Sequence, residues 1–464
     1  MKFKKFGKTL LIGALSAGVV LSVTSCVQSY TVGFLYVTGT VTSESEGNGY
    51  VAGFKIDHNT GKLTPINGLK PPVPSGGANP VRALLLVSSR FLYVLNQGVP
   101  QAGQTECTTE YPCVNPNITQ FAVGANGVLT AQETFTTQGK NPFRMVADNS
   151  GTYLYVLDHD SPDNYSGATG FANGCTQALN GAATCGDITA FTISQTTGRL
   201  SLLQNAQVKV TTGASGTQNL TYFPVPVNPI DLAFSGGTLL TLSGTPAAGD
   251  LVFPYSYNAG TGQLSVESNG STLLGDVHQA TAIVSGGGYI WVLDNEPITY
   301  TPAGSTTPVT APSQILPWSV SANGSLTILS SGPIPDDQYQ SNPIYLVVES
   351  KDKWFYVANQ GTPAPSTLAL SGIAGYVMNN PFLPTELGGN PVGFGTGAGP
   401  VCMVEDPSNQ FFYEANYDDQ TVAGQQLDQN AGTLTPLSQS SKVSSTYALT
   451  GPPTWCLVDG RISN

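Results

Sequence analysis

Charge is scarce in this sequence, and basic charge is scarcer than acidic charge. Charged residues make up 10% of the 464 residues, with 17 Lys and Arg against 29 Asp and Glu. A surface with this acidic balance repels phosphate backbones, which argues against nucleic acid as a partner. Because so few charges are present, Ser, Thr, Asn and Gln must supply most of the polarity that keeps the chain in solution.

Several residue patterns that mark common enzymes are missing. The chain has three histidines, and no two of its seven cysteines have the CxxC spacing of a zinc or redox site. It contains no GxSxG elbow, no HExxH helix and no Walker loop. We therefore predict neither a metal nor an organic cofactor.

Long apolar runs are also missing. The longest, Leu10–Val23, follows a lysine-rich stretch and is about 14 residues, whereas a membrane-spanning helix needs roughly 20. It is followed by small residues and Cys26, which resembles a bacterial lipobox; an ordinary signal peptide with an incidental cysteine is the alternative. We predict a targeting segment over residues 1–26, one folded domain over 27–464, export, and attachment to a membrane by lipid on Cys26 only.

Glycine and proline are abundant in this sequence, and six cysteines remain besides Cys26. The 53 Gly and 33 Pro make long helices implausible and turns frequent. Six cysteines besides Cys26 allow fifteen disulfide pairings, and their local spacing favours Cys107–Cys113, Cys175–Cys185 and Cys402–Cys456. A metal site is the less favoured alternative for these cysteines.

One phrase recurs along the chain: Asn-Pro, an apolar run, a small turn, then an aromatic Tyr-Val run. A second phrase follows each copy, with an alternating strand, a turn of Asn, Thr or Gly, and Leu-Thr or Leu-Ser, which is typical of a β-hairpin. Pro343 and Pro400 are 57 residues apart, and Pro229 and Pro343 are 114 apart. Clear copies of the first phrase lie at residues 79–98, 141–160, 342–361 and 399–418, and weaker ones at 228–245 and 278–296.

Four short strands at this period are typical of a propeller blade. The first unit lacks its leading strand, and the segment 452–464 is such a strand with nothing after it. This predicts an all-β, seven-bladed propeller in which the C-terminal strand completes the first blade and removes an exposed edge. Cys402 and Cys456 would then occupy equivalent places on neighbouring inner strands, where a disulfide would lock the ring.

The Pro-x-x, Tyr-Val-x-Asn and Thr-Gly-x-Leu pattern resembles the seven-bladed lactonase family, which includes propeller-type 6-phosphogluconolactonases and carboxymuconate-lactonizing enzymes. The resemblance implies a site at one mouth of the central channel, near the start of the innermost strands. Family members carry His or Arg just after the leading proline. The corresponding residues here are Arg82, Arg144, Asp231, Thr281, Tyr345, Cys402 and Cys456.

Lactone hydrolysis requires a base for water and a cation or amide donors for the oxyanion. Arg82 and Arg144 are the candidate oxyanion ligands. Asp231 is the first candidate base, and His159, within Asp158-His159-Asp160, is the second. His278 stands where the Asn of Asn-Pro should be. The alternative interpretation is structural: inner-strand arginines often satisfy backbone carbonyls and carboxylates, and His159 would then be a loop residue.

Two functions follow. The first is an exported lactonase-like hydrolase for a small, sugar-derived lactone; phosphogluconolactone itself is disfavoured because sugar phosphates are cytoplasmic. The second is a non-catalytic envelope propeller that binds protein or carbohydrate, which the missing motif histidines favour. In either case we expect a monomer.

Overall fold

The computed structural model describes most of the chain, and it is made of β-strands. The described residues are 30–41, 48–161, 186–203, 208–211, 217–220, 223–226, 228–244, 249–266, 271–275, 277–302, 304–322, 324–361, 371–378, 384–387, 397–437 and 445–459. Within these ranges no helix is long and apolar enough to cross a membrane. Cys26, Cys175 and Cys185 lie outside the described residues.

Seven antiparallel sheets surround a central channel, and each has a four-strand path that begins at the channel. Their strands, from the channel outwards, are as follows. Blade 1 has Pro453–Asp459, Thr31–Thr40, Asn48–Asp57 and Leu63–Pro65; blade 2 has Pro80–Leu86, Phe91–Asn96, Asn117–Val123 and Leu129–Phe135; blade 3 has Lys140–Ala147, Tyr153–Asp160, Gly186–Ile193 and Leu200–Leu202; blade 4 has Pro229–Ser235, Thr238–Ser243, Leu251–Tyr257 and Leu264–Val266; blade 5 has Ala280–Gly286, Tyr289–Asp294, Gln314–Val320 and Leu326–Ile328; blade 6 has Pro343–Val348, Trp354–Asn359, Gly372–Val377 and Thr385–Glu386; blade 7 has Pro400–Glu405, Phe411–Asn416, Thr421–Leu427 and Leu434–Pro436.

Short extra strands extend five of these sheets along the third strand of the blade. They are Val73–Ala78, Phe223–Val225, Thr272–Leu273, Ile334–Pro335 and Thr446–Ala448. Two separate hairpins pair Val208–Thr211 with Thr217–Leu220, and Ile298–Tyr300 with Val309–Ala311. The seven-bladed, four-stranded fold that the repeats predict is confirmed.

The ring closes in blade 1, also as predicted. The C-terminal strand Pro453–Asp459 pairs antiparallel with Thr31–Thr40, so the two ends of the chain share one sheet. Cys402 and Cys456 form a disulfide between the innermost strands of blades 7 and 1, with Cα atoms 5.8 Å apart. Cys107 and Cys113 form the second predicted disulfide, with Cα atoms 5.0 Å apart.

A tyrosine hydroxyl connects one blade to the next at five places around the ring. Tyr155 of blade 3 donates a hydrogen bond to the carbonyl oxygen of Gly262 in blade 4, at 2.7 Å. Gly262 has a φ of 71°, and a Cβ on it would lie 2.3 Å from the ring of Tyr153. The tyrosine belongs to the recurring Tyr-Val run, and the glycine belongs to the turn of the second recurring phrase. The two phrases therefore recur together because they form this contact. The other four pairs are Tyr36 with Gly127, Tyr93 with Gly198, Tyr356 with Gly432, and Tyr413 with Gly61.

Replacing the glycine of this contact should destabilise the propeller more than replacing a glycine of similar backbone conformation that has open space around it. We expect Gly262→Ala to cost about 1–2 kcal/mol through its left-handed backbone, plus the cost of displacing Tyr153. Gly236→Ala is the matched control, because its φ is 58° and nothing lies within 4 Å of the added Cβ. Urea denaturation measures both free energies of unfolding. Equal losses in the two variants would show that the contact with Tyr153 carries no weight.

Candidate functional site in the central channel

Three candidate residues, Arg82, Arg144 and Asp231, lie on innermost strands, two positions after the proline at or near the start of the strand. The strand pairing aligns this position across blades, because the proline and this residue flank a register shift in each inner strand. Arg82, Arg144 and Asp231 occupy it in blades 2, 3 and 4, as the repeats predict. Tyr345 and Cys402 occupy it in blades 6 and 7.

The predicted alignment is wrong by one residue in blade 5. Ala280 pairs with Asp294 on the second strand of the blade, and in the other blades the proline of the inner strand has this pairing. Ala282 follows after the register shift, so Ala282 and not Thr281 takes the channel position. Gln279 and not His278 replaces the Asn of Asn-Pro. The carbonyl oxygen of Gln279 accepts a hydrogen bond from the backbone N–H of Asn295, just as the carbonyl oxygen of Asn79 accepts one from Gln97 in blade 2. This repeat has no proline, and without it the sequence does not mark the register.

The alignment is also wrong by one residue in the C-terminal strand. Pro453 pairs with Gly39 and Trp455 pairs with Thr38, so Trp455 takes the channel position and Cys456 is the next residue. The predicted equivalence of Cys402 and Cys456 is therefore wrong, although their disulfide is correct. Two consecutive prolines, Pro452 and Pro453, allow both alignments, and a shift of one residue reverses the side of the strand that a side chain faces.

A cavity of about 680 Å³ lies between these inner strands. Arg82, Arg144 and Asp231 all line it, and so do Tyr345 and Trp455. These five residues bring together two cationic side chains, one carboxylate and two aromatic rings from five of the blades, and Asp148 and Phe234 line another part of the cavity. At the level of Arg82 and Arg144, two guanidinium groups face one carboxylate, that of Asp231, and this local excess of positive charge favours an anionic or carbonyl-bearing ligand.

Asp231 is buried, and three neighbours hold its side chain in place. Its Oδ1 accepts the backbone N–H of Leu232 at 2.9 Å and lies 3.4 Å from Nε of Arg144. Its Oδ2 accepts the backbone N–H of Ile283, in the next blade, at 3.3 Å. These donors fix the orientation of Asp231 at the cavity wall. They also leave lone pairs on both oxygens, because a carboxylate has about four acceptor sites.

Arg82 has a different environment, dominated by aromatic contact. Its guanidinium carbon lies 3.6 Å from the ring centre of Trp455, and the Trp455 ring meets Tyr345 edge-on at 5.1 Å. Burial lowers the pKa of Arg82 to about 10, with Asp231 raising it and Arg144 lowering it further. The group stays a cation at neutral pH. Its buried Nε has no hydrogen-bond partner among the described residues.

Trp455 was not predicted as part of this site. The sequence does carry a signal for it, since Pro453-Thr-Trp455 aligns with Pro80-Val-Arg82 once the second proline is taken as the start of the strand. The cation–π contact is worth about 2 kcal/mol when desolvated, enough to fix one orientation of Arg82.

His159 lies outside the cavity wall, and it is part of a strand where a loop was the structural alternative. Its side chain is 42% exposed, and Nδ1 is 3.2 Å from Oδ2 of Asp160. Burial raises the pKa of Asp158 to about 8 and that of Asp187 well above its usual value. In Asp160, hydrogen bonds from His159, Thr109 and Asn141 outweigh burial, and the pKa is lowered. This acidic group is separate from Arg82, Arg144 and Asp231.

His278 also lies outside the cavity wall. It is exposed, and its backbone N–H donates to a carboxylate oxygen of Glu296 at 3.0 Å. The structure therefore brings three of the five predicted site residues together and leaves the two histidines apart from them. Among the described residues, no group of three or more His, Cys, Asp and Glu side chains is arranged to hold a metal ion.

Comparison with known proteins supports the resemblance that the repeats predict. The sequence profile of the family described as Lactonase, 7-bladed beta-propeller, matches residues 33–166. No curated protein sequence matches the chain. The predicted resemblance to the seven-bladed lactonase family is confirmed.

Solved structures share the fold at low sequence identity. A candidate 6-phosphogluconolactonase from Bacteroides fragilis NCTC 9343 is 15% identical, with a TM-score of 0.60, over 92% of this chain and 98% of that chain. The periplasmic gluconolactonase PpgL of Pseudomonas aeruginosa is 15% identical, with a TM-score of 0.59 over the same shares of the two chains. At these identities the likeness establishes the fold.

Proposed function

We propose that this lactonase-like β-propeller hydrolyses a lactone in the channel cavity, with Asp231 as base and the two arginines as oxyanion ligands. The observation that carries the proposal is the convergence of Arg82, Arg144 and Asp231 on one cavity, with Arg144 and Asp231 3.4 Å apart. The family resemblance and the solved lactonase-type structures support the same reaction class.

The chemistry requires one proton to move twice. Asp231 takes a proton from water as the water oxygen adds to the lactone carbonyl carbon, and Arg82 and Arg144 hold the oxygen that becomes negative. The ring C–O bond then breaks, and the ring oxygen takes the proton back from Asp231. The product is the open hydroxy acid, and the carboxylate of Asp231 is restored.

A binding propeller without catalysis is the second candidate, and one observation favours it. Asp231 already accepts two backbone N–H groups and pairs with Arg144, as an ion pair with a structural role would. Such a propeller would use the same cavity, or its faces, to bind carbohydrate or protein at the cell envelope.

Hydrolysis of a lactone panel distinguishes these candidates. We expect base uptake in a pH-stat with at least one sugar, aliphatic or aromatic lactone, and its loss in the Arg82→Ala/Arg144→Ala variant. Removing one oxyanion donor costs about 100- to 1000-fold in kcat. Arg199→Ala is the control, because Arg199 is exposed and pairs with Glu133 away from the cavity. No turnover above buffer with any lactone would overturn the enzyme and favour the binding propeller.

We also propose that the protein is exported and anchored by lipid on Cys26. Two disulfides in the described residues support export, because disulfides persist in oxidising compartments. The lipobox-like segment before Cys26 is the basis for the anchor. Incorporation of labelled fatty acid that is absent from Cys26→Ser is the expected result, and equal labelling of both proteins would refute the anchor.

A further inference from the structure

Apolar side chains form a collar directly beyond the charged residues of the cavity. The collar consists of the residue four positions after the proline, or its equivalent, on each inner strand. Leu84, Val146, Ala233 and Val284, from blades 2 to 5, line the cavity. The other three blades carry Val347, Val404 and Leu457 at the same position, and these three residues are not part of the cavity wall. No blade places a polar side chain there.

The orientation of the collar follows from strand alternation, because successive side chains point to opposite sides of a strand. The residues that precede the collar, Met145 in blade 3 and Ile283 in blade 5, also belong to the cavity wall, but they are 0% and 2% exposed and pack in the core clusters between the blades. Val146 and Val284 themselves are half-buried and line the cavity. Leu84, Val146 and Val284 therefore present apolar surface that is only partly covered, whereas Ala233 is 5% exposed.

The charges on either side of the collar define a direction through it. Arg82 and Arg144 lie two residues before it, roughly 7 Å along the strand. Asp148, two residues beyond Val146, lines the other part of the cavity, and its carboxylate accepts the backbone N–H groups of Thr152 and Tyr153. An anionic or carbonyl head group is thus favoured on the arginine side, and it is repelled on the other side.

A sugar lactone would match the collar poorly, whereas Thr281, Ser285, Gln360 and Thr454 give other parts of the cavity wall a polar lining. Its hydroxyl groups would lie against the collar without hydrogen-bond partners, and each such group costs about 1–3 kcal/mol when buried. An alkyl or aryl group would instead gain about 0.8 kcal/mol for each methylene that the collar covers.

We propose that the substrate is an amphipathic lactone, whose ring lies at Arg82, Arg144 and Asp231 and whose apolar substituent passes through the collar. This inference rests on the proposed function, and it replaces a sugar-derived substrate with a lactone that carries a hydrocarbon tail. It also implies that the open hydroxy acid, which has both a carboxylate and a tail, binds the same cavity as product.

Two series of compounds test the inference with the purified full chain. The first is γ-butyrolactone and its alkyl-substituted homologues up to γ-decalactone, measured by kcat/KM. The second is straight-chain carboxylates from butanoate to decanoate, measured by calorimetric titration. We expect both kcat/KM and affinity to rise about 3- to 4-fold per added methylene until the tail passes the collar.

A paired substitution places the effect at the collar. Val146→Thr/Val284→Thr keeps side-chain volume and adds hydroxyl groups, so it should flatten the dependence on tail length. Val377→Thr is the control, a half-buried valine on the third strand of blade 6. Hydrolysis of short lactones with no gain from a tail would overturn this inference and keep the proposed function. Tail-dependent binding of carboxylates without any hydrolysis would overturn the function and keep the collar as an apolar-ligand site.

Discussion

Deleting residues 453–464 should abolish cooperative folding of the whole propeller. The deletion removes the innermost strand of blade 1, which pairs with Thr31–Thr40 along its length. It also removes Cys456, the partner of Cys402, and Trp455, which packs in the core cluster between blades 7, 1 and 2. A long unpaired edge and an open ring would remain, and such edges promote aggregation.

The measurement is a thermal or urea unfolding curve followed by circular dichroism. We expect the deletion variant to lack a cooperative transition and to be recovered mainly as aggregate. A chain that ends at Asp459 is the matched control, because it keeps every residue of the closing strand. If the deletion variant unfolded with an unchanged midpoint, closure by this strand would contribute nothing to stability.

Removing only the disulfide separates the covalent contribution to closure from that of the strand. The bridge encloses a separation of 54 residues, for which chain entropy predicts roughly 4 kcal/mol of stabilisation. Cys402→Ser/Cys456→Ser should therefore be less stable than the parent but still fold cooperatively, because the hydrogen bonds of the closing strand remain. The strand is expected to matter more than the bridge.

The repeats predict the blades because each one carries the residues that hold it to its neighbour. Tyr155 and Gly262 are one example: the tyrosine donates to the glycine carbonyl, and the glycine leaves room for the preceding aromatic ring. Both members of this contact recur at fixed positions, so the sequence shows the period, the number of blades and the closing strand.

The side chains that face the channel are less well predicted, because a shift of one residue in the register of an inner strand changes which side chain lies there. Proline marks that register in blades 2, 3 and 4, and there Arg82, Arg144 and Asp231 were placed correctly. Ala282 and Trp455 were missed where the proline is absent or doubled. The interpretation of His278 followed from the same error, since the position it was given belongs to Gln279.

Replacing Asp231 should produce the largest loss of activity of any single substitution in this site. Asp231→Asn keeps an oxygen for the N–H of Leu232 but removes the negative charge and the ability to accept a proton from water. Loss of a positioned base costs about 100- to 10,000-fold in rate. We expect kcat for the best lactone to fall within this range, while KM changes little because the arginines still hold the carbonyl.

Asp250→Asn is the control that separates chemistry from folding. Asp250 is also buried in blade 4, and its Oδ2 accepts the backbone N–H of Ala280 in blade 5 at 2.8 Å, as Asp231 does with Ile283. Asp250 does not line the cavity. If Asp231 is the base, Asp231→Asn loses activity far beyond any loss of stability that it shares with Asp250→Asn, and Asp250→Asn loses at most stability. Equal activity in the two variants would assign Asp231 to the scaffold, because both carboxylates would then serve only to join blades 4 and 5.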